Sequence, residues 1–294
     1  MNKCFRELSN DGFAASQFRV LHSSFGNEEN IVCMPHHSLA FARLGLVTSC
    51  FSIAVMKIRK FISNRKSNSI NESEDSYEIT KYRFSRPESA KKYSQRHIKS
   101  RKHFQEIKCI TEALEGCDKS LLLDLPCGTG RLSYYFKRLG YKVVGADCSE
   151  HMIQYAQKRS IEETGKPFDD KDDSLRFECQ EVLNIHYPDN TFSVTVCNRL
   201  FHHYSDSKTR RKALKELSRV TDGPLIVSFF SLFSLYTLKF YIKHYLENIP
   251  PTDRIPLSIR TLQEDVESCG LKIDRILPVS YGISPQTYVK LIKQ

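Results

Sequence analysis

The run Leu121-Leu122-Leu123-Asp124, followed by Leu125-Pro126-Cys127-Gly128-Thr129-Gly130, constrains this chain more than any other stretch. Three consecutive Leu residues read as a short strand buried on both faces, as in a parallel sheet. An acid closes the run, a Pro/Gly turn follows, and Arg131 to Leu139 reads as a helix. The pattern then repeats. Lys142 to Asp147 is a second strand ending in an acid, Leu175 to Cys179 a third, Thr191 to Cys197 a fourth and Pro224 to Phe230 a fifth. Helical patterns starting near Ser149 and spanning Asp206 to Val220 lie between them. Strands alternating with helices predict a doubly wound α/β sheet. Ile259 to Ser268 reads as a helix stopped by Gly270, and Leu271 to Val279 and Gln286 to Lys293 as two closing strands in a hairpin-like finish.

The first turn is built for a ligand. Small residues let it approach the backbone, and amides at the helix start point towards it. Gly128-Thr129-Gly130-Arg131-Leu132-Ser133 is a partial G-x-G-x-x-G, with Ser133 at the third Gly. Asp124 argues against a dinucleotide, because a carboxylate just ahead of the turn repels a pyrophosphate. It suits a ligand with hydroxyls, an ammonium group and no phosphate, such as S-adenosylmethionine. Asp147 lies where a doubly wound fold meets a ribose, and its carboxylate can accept from both hydroxyls.

Asp124-x-Pro126-x-Gly128-x-Gly130 resembles the first motif of the class I S-adenosylmethionine-dependent methyltransferases, with Pro126 where Gly is usual. The resemblance covers roughly residues 80–294. It implies a Rossmann-like, seven-stranded, mostly parallel sheet with helices on both faces and an antiparallel C-terminal edge strand. It implies S-adenosylmethionine as cofactor, with Asp124, Pro126, Cys127, Gly128 and Gly130 at the loop and Asp147 on the ribose. Cys148 and Met152 would lie beside the adenine. Glu181-Val182 stands where Asp-Ala is common, so Glu181 would accept from the adenine amino group and the Val182 amide would donate to the ring. Asn198 would border the same site. The broad small-molecule branch, which includes the quinone-biosynthesis enzymes, suggests a small or lipid-like acceptor methylated on oxygen or carbon. An RNA or protein methyltransferase and a non-catalytic cofactor-binding scaffold are the alternatives.

Ligands of open α/β sheets bind beyond the carboxyl ends of the strands, so Asn198 to His203 should border the active site. His202 and His203 read either as a general base for a hydroxyl or as packing residues. No Asn-Pro-Pro-Tyr-like motif follows the fourth strand, which argues against amino methylation of adenine or glutamine. Residues 231–258 are too long for a simple connection and aromatic-rich, and read either as a cap over an apolar acceptor pocket or as a packed extension of the core. Tyr82, Tyr93, Tyr236 and Tyr241 are candidates for that pocket.

Charge is unevenly placed. Residues 1–105 hold 18 Lys and Arg against 9 Asp and Glu, while the remainder holds 26 against 25. A nearly neutral catalytic region argues against a nucleic-acid partner, which would need a basic face. The ten Cys include no C-x-x-C pair and no zinc spacing, so no metal site and no disulfide framework are expected and a reducing, cytoplasmic setting is. Cys179 and Cys197 read as buried thiols in apolar strands.

Residues 1–78 are expected to form an extension, partly disordered, and 79–294 the catalytic domain. Within the extension, residues 39–56 are apolar apart from Arg43, with an uncharged run of 13 residues from Leu44 to Met56. That is short of the ~20 residues that span a bilayer. With the basic flank to residue 66 it reads as an interfacial helix on an anionic membrane, a packed helix, or an upstream extension ahead of a start at Met56. Oligomeric state and acceptor are not legible.

Overall fold

The computed structural model describes residues 76–95, 101–249, 251 and 253–294. The expectations for the N-terminal extension, the 39–66 segment included, therefore lie outside the described residues. All of the described residues belong to one compact unit.

Among the described residues, three helices precede the first strand: α1 (Ser76–Phe84), α2 (Pro87–Ser94) and α3 (Arg101–Ala113). Pro87 separates α1 from α2: it opens the new helix at its first position and disfavours helical geometry in Arg86. Helix α1 begins at Ser76, so residues 76–78, expected at the end of the extension, pack with the domain through buried Tyr77.

The sheet then forms from β1 (Leu121–Asp124), β2 (Lys142–Asp147), β3 (Leu175–Cys179), β4 (Val194–Cys197), β5 (Leu225–Phe230), β6 (Leu271–Pro278) and β7 (Gln286–Lys293). Its order is β3-β2-β1-β4-β5-β7-β6. The first five strands pair in parallel, and β7 runs antiparallel to both β5 and β6. The expected Rossmann-like topology is therefore the one observed.

Side-chain alternation builds the two covering layers. Leu123, Val144 and Ala146 join the core containing Ala213, Leu214 and Leu217 of α7 (Ser207–Val220) and Leu262 and Val266 of α9 (Ile259–Glu267). Leu122, Val143 and Val196 point the other way, into a core containing Ile110 of α3 and Leu132 and Phe136 of α4 (Arg131–Arg138). All three Leu of β1 thus pack, which is why the run is continuous rather than alternating. Cys197 is buried in β4, but Cys179 is exposed, because β3 is the outer strand of the sheet.

Strand order reverses between β1 and β4, and the crevice at that switch point receives both the Pro126–Gly130 turn and Asn198. The residue ahead of the turn is tied to β4: the Leu125 amide donates to the Val196 carbonyl at 3.0 Å.

Candidate active site

A cleft of about 440 Å³ opens at this switch point. Its floor is the turn after β1. Gly128 (φ 55°) and Gly130 (φ 74°) both adopt left-handed backbone. At Gly130 a Cβ would also stand 3.0 Å from the Ala156 Cβ and from the Phe177 ring, so no other residue lets α4 start this close to β3 and to α5 (Glu150–Lys158).

Asp147, at the end of β2, organises the loop. One carboxylate oxygen accepts from the Gly128 amide and the other from the Ser149 amide, both at 3.0 Å. Each oxygen keeps a lone pair for a further donor. Burial raises the Asp147 pKa to about 6, against those amide bonds. Asp124 is more deeply buried; one oxygen accepts from the Ser133 hydroxyl at 2.6 Å and Oδ1 has no partner. Burial lifts its pKa to about 7, opposed by the Ser133 hydrogen bond. Both acids hold protons more readily folded than unfolded, so they make the ligand-free protein less stable as pH rises from about 4 to about 7.

Of the residues expected at the cofactor, Pro126, Cys127, Gly128, Asp147, Cys148, Met152, Val182 and Asn198 line the cleft. Asp124 and Gly130 are not among the residues that line it. Cys148 is held as a thiol, its pKa pushed up to about 12 by burial and by Asp147. The Asn198 side-chain oxygen accepts from Ser228, Tyr288 and Gln286, which locks its orientation from β5 and β7.

Glu181 departs from the expectation. It does not line the cleft: one carboxylate oxygen accepts from the Tyr77 hydroxyl at 2.7 Å and the other is paired with Lys81. The longer side chain reaches out to α1 instead of turning inward, and so fastens α1 over the cleft. Tyr77, Thr80, Lys81 and Phe84 of α1 form part of the opposite wall with Tyr93 and Tyr204. Among the proposed pocket tyrosines only Tyr93 lines it. Tyr82 is exposed on the outer side of α1. Tyr236 is exposed and Tyr241 buried beside Leu232, both on α8 (Leu235–Leu246), away from the cleft.

The two histidines separate. His202 stacks on Phe230 with centroids 3.9 Å apart, and burial with the adjacent His203 keeps it neutral. It packs and does not reach the cleft. His203 does line it, and its Nδ1 sits 2.5 Å from an Asp253 oxygen. Burial raises Asp253, but the His203 contact and Arg83 at 2.6 Å outweigh that and hold it ionised, well below the usual carboxylate range.

Two features escaped the sequence. Buried Glu106 of α3 accepts from Arg131 at 3.1 Å and pairs with Arg199, while His103 contacts Arg131. All four line the cleft. The available signal was an acid at position 106 in register with Cys109, Ile110 and Ala113 on the buried face of α3. Arg159, at the end of α5, donates from Nε to the Thr129 carbonyl at 2.7 Å and clamps the loop from below.

A model of the methyltransferase domain family matches residues 122–222. The chain is 26% identical over 103 residues to the uncharacterized methyltransferase YcgJ of Bacillus subtilis, covering 34% of this chain and 35% of that one. It is 33% identical over 86 residues to phosphoethanolamine N-methyltransferase 1 of Arabidopsis thaliana, covering 29% and 16%. The matches therefore span about a third or less of these relatives' lengths. In fold it is similar to the Synechocystis magnesium protoporphyrin IX methyltransferase with bound SAH, at a TM-score of 0.57 and 16% identity over 75% of this chain and all of that one.

Proposed function

We propose, from the premise that the domain matched over residues 122–222 is a class I S-adenosylmethionine-dependent methyltransferase, that this protein methylates a hydroxyl-bearing small or lipid-like acceptor. The residues suit the cofactor. Asp147 has lone pairs for two ribose hydroxyls, the left-handed glycines bare the loop backbone, and Met152 and Val182 offer apolar walls for the adenine. When bound, the sulfonium supplies an activated methyl group. The chain's own part is to orient, exclude water and move a proton.

One observation carries the acceptor reading. His203 shares the cleft with the cofactor loop and with Tyr77, Phe84, Tyr93 and Tyr204, its ring edge-on to Phe84 with centroids 5.1 Å apart, and Asp253 engages its Nδ1. This arrangement leaves Nε2 as the basic nitrogen. It would take the proton of a hydroxyl, whose oxygen, or a ring carbon conjugated to it, then attacks the methyl. Arg83 keeps Asp253 anionic, so the imidazole stays oriented through the reaction.

The test has two steps. Calorimetric titration of S-adenosylmethionine and S-adenosylhomocysteine establishes the site. Labelled-methyl transfer is then followed across hydrophobic phenols and quinols. His203→Gln should lower kcat by about 10²–10⁴ while leaving S-adenosylhomocysteine affinity intact. Full activity in that variant removes the base assignment.

Cofactor affinity should also depend on pH. Ribose hydroxyls donate to an ionised Asp147, so binding favours the form present above about pH 6. The dissociation constant should be flat above pH 7 and rise by up to about tenfold per unit below 6. A flat profile from pH 5 to 8 would exclude Asp147 as the ribose acceptor.

A further inference from the structure

Helix α8 leaves the same rim of the sheet as the cleft yet contributes nothing to it. Ser234 caps it, its hydroxyl accepting from the Thr237 amide at 3.0 Å, so the helix has a defined start. Thr237 and Tyr241 form its buried side. Leu235, Lys239, Ile242 and Leu246 recur at helical spacing on an exposed face, with Tyr236, Lys243 and Tyr245 flanking them. Leu246 is 75% exposed and Ile249, just beyond the helix, 58%.

The patch continues onto a second segment. The Leu235 amide donates to the Gly282 carbonyl at 2.8 Å and the Tyr236 amide to that of Ile283 at 3.4 Å. Tyr281 and Ile283, 67% and 62% exposed, thereby extend the apolar surface at the start of α8. Exposed apolar area of this continuity is not a feature of an ordinary solvated face.

We propose that α8 and the 280–285 turn form a docking surface for an anionic lipid membrane. Three features select that partner. The apolar residues lie on one convex helix face, suited to insertion among headgroups. Lys239 and Lys243 flank it, and the only acid in residues 231–249 and 280–285 is Glu247, 3.7 Å from Lys243. Tyrosines line the border, each with an apolar ring and a polar tip, as interfacial residues do. The surface lies at the carboxyl end of β5, beyond which the cleft also opens, so docking would bring a membrane-dissolved molecule towards the cleft rim. The inference does not depend on methyl transfer, and its test reads no activity.

The experiment is co-sedimentation of the full chain with phosphatidylglycerol/phosphatidylcholine vesicles, beside pure phosphatidylcholine vesicles. The wild type should partition onto the anionic vesicles. Lys239→Glu with Lys243→Glu should weaken this by at least about fivefold per lysine, and Ile242→Ser with Leu246→Ser by a similar total factor. All four positions are exposed, so the variants should keep the wild-type circular dichroism and S-adenosylhomocysteine affinity. Undiminished binding in both variants would put membrane attachment elsewhere in the chain and overturn the proposal. Absence of wild-type binding would overturn it as well. So would a concentration-dependent dimer lost in Ile242→Ser/Leu246→Ser without any vesicle binding, since the face would then belong to a second copy.

Discussion

Asp147→Ala should weaken S-adenosylmethionine and S-adenosylhomocysteine binding by about a hundredfold or more. With Asp147 as the proposed ribose acceptor, two hydrogen bonds to a charged group would be lost, each worth about 1.5–3 kcal/mol. A second loss adds to this. The Asp147 carboxylate holds the Gly128 and Ser149 amides at 3.0 Å, so its removal releases the loop that must already be shaped when the cofactor arrives. Asp147→Asn keeps one acceptor oxygen and should fall between wild type and Ala. The melting temperature of the ligand-free protein should change little, because the acid is costly to bury. Titration calorimetry decides: an affinity within threefold of wild type for Asp147→Ala would mean the ribose is held elsewhere.

The largest stability effect is expected far from the cofactor, at Asp265. This acid, on α9, is fully buried and bridges two arginines of α7. Arg210 Nε donates to it at 2.7 Å and Arg211 Nε at 2.8 Å. Arg210 is itself only 2% exposed and also donates to the Tyr204 carbonyl and the Ser207 hydroxyl. Asp265→Ala strands a buried guanidinium and should cost about 3–5 kcal/mol. For a domain of this size that lowers the melting temperature by roughly 10 °C. Because Tyr204 lines the cleft, acceptor binding should loosen too. The double variant Arg210→Met/Asp265→Leu removes both charges and should recover most of the loss. If Asp265→Ala melts within about 2 °C of wild type, the arginines find water and the bridge is not what joins α7 to α9.

These two sites differ in how far the sequence discloses them. Asp147 stands at the end of an apolar run, a fixed distance beyond a Pro/Gly turn, and both signals are local. The strand-turn-helix of residues 121–138, the acid-ended second strand, the order of the elements and the antiparallel finish follow in the same way from periodicity and turn chemistry. Asp265 and Arg210 are 55 residues apart, and nothing local marks either as buried.

The remaining differences share that cause. Sequence placed Glu181 beside the adenine by position in a motif; tertiary structure gave its carboxylate to Tyr77 and Lys81, which approach from a helix a hundred residues upstream. Sequence offered two adjacent histidines as equals. Packing buried His202 on Phe230 and set His203 against Asp253, 50 residues on. The aromatic stretch after β5 read as pocket or core, and its helix turned much of its apolar face outward. Local order is encoded in spacing along the chain, because backbone geometry repeats every two or 3.6 residues. Which charged group meets which depends on where whole elements pack, and no short-range periodicity carries that information.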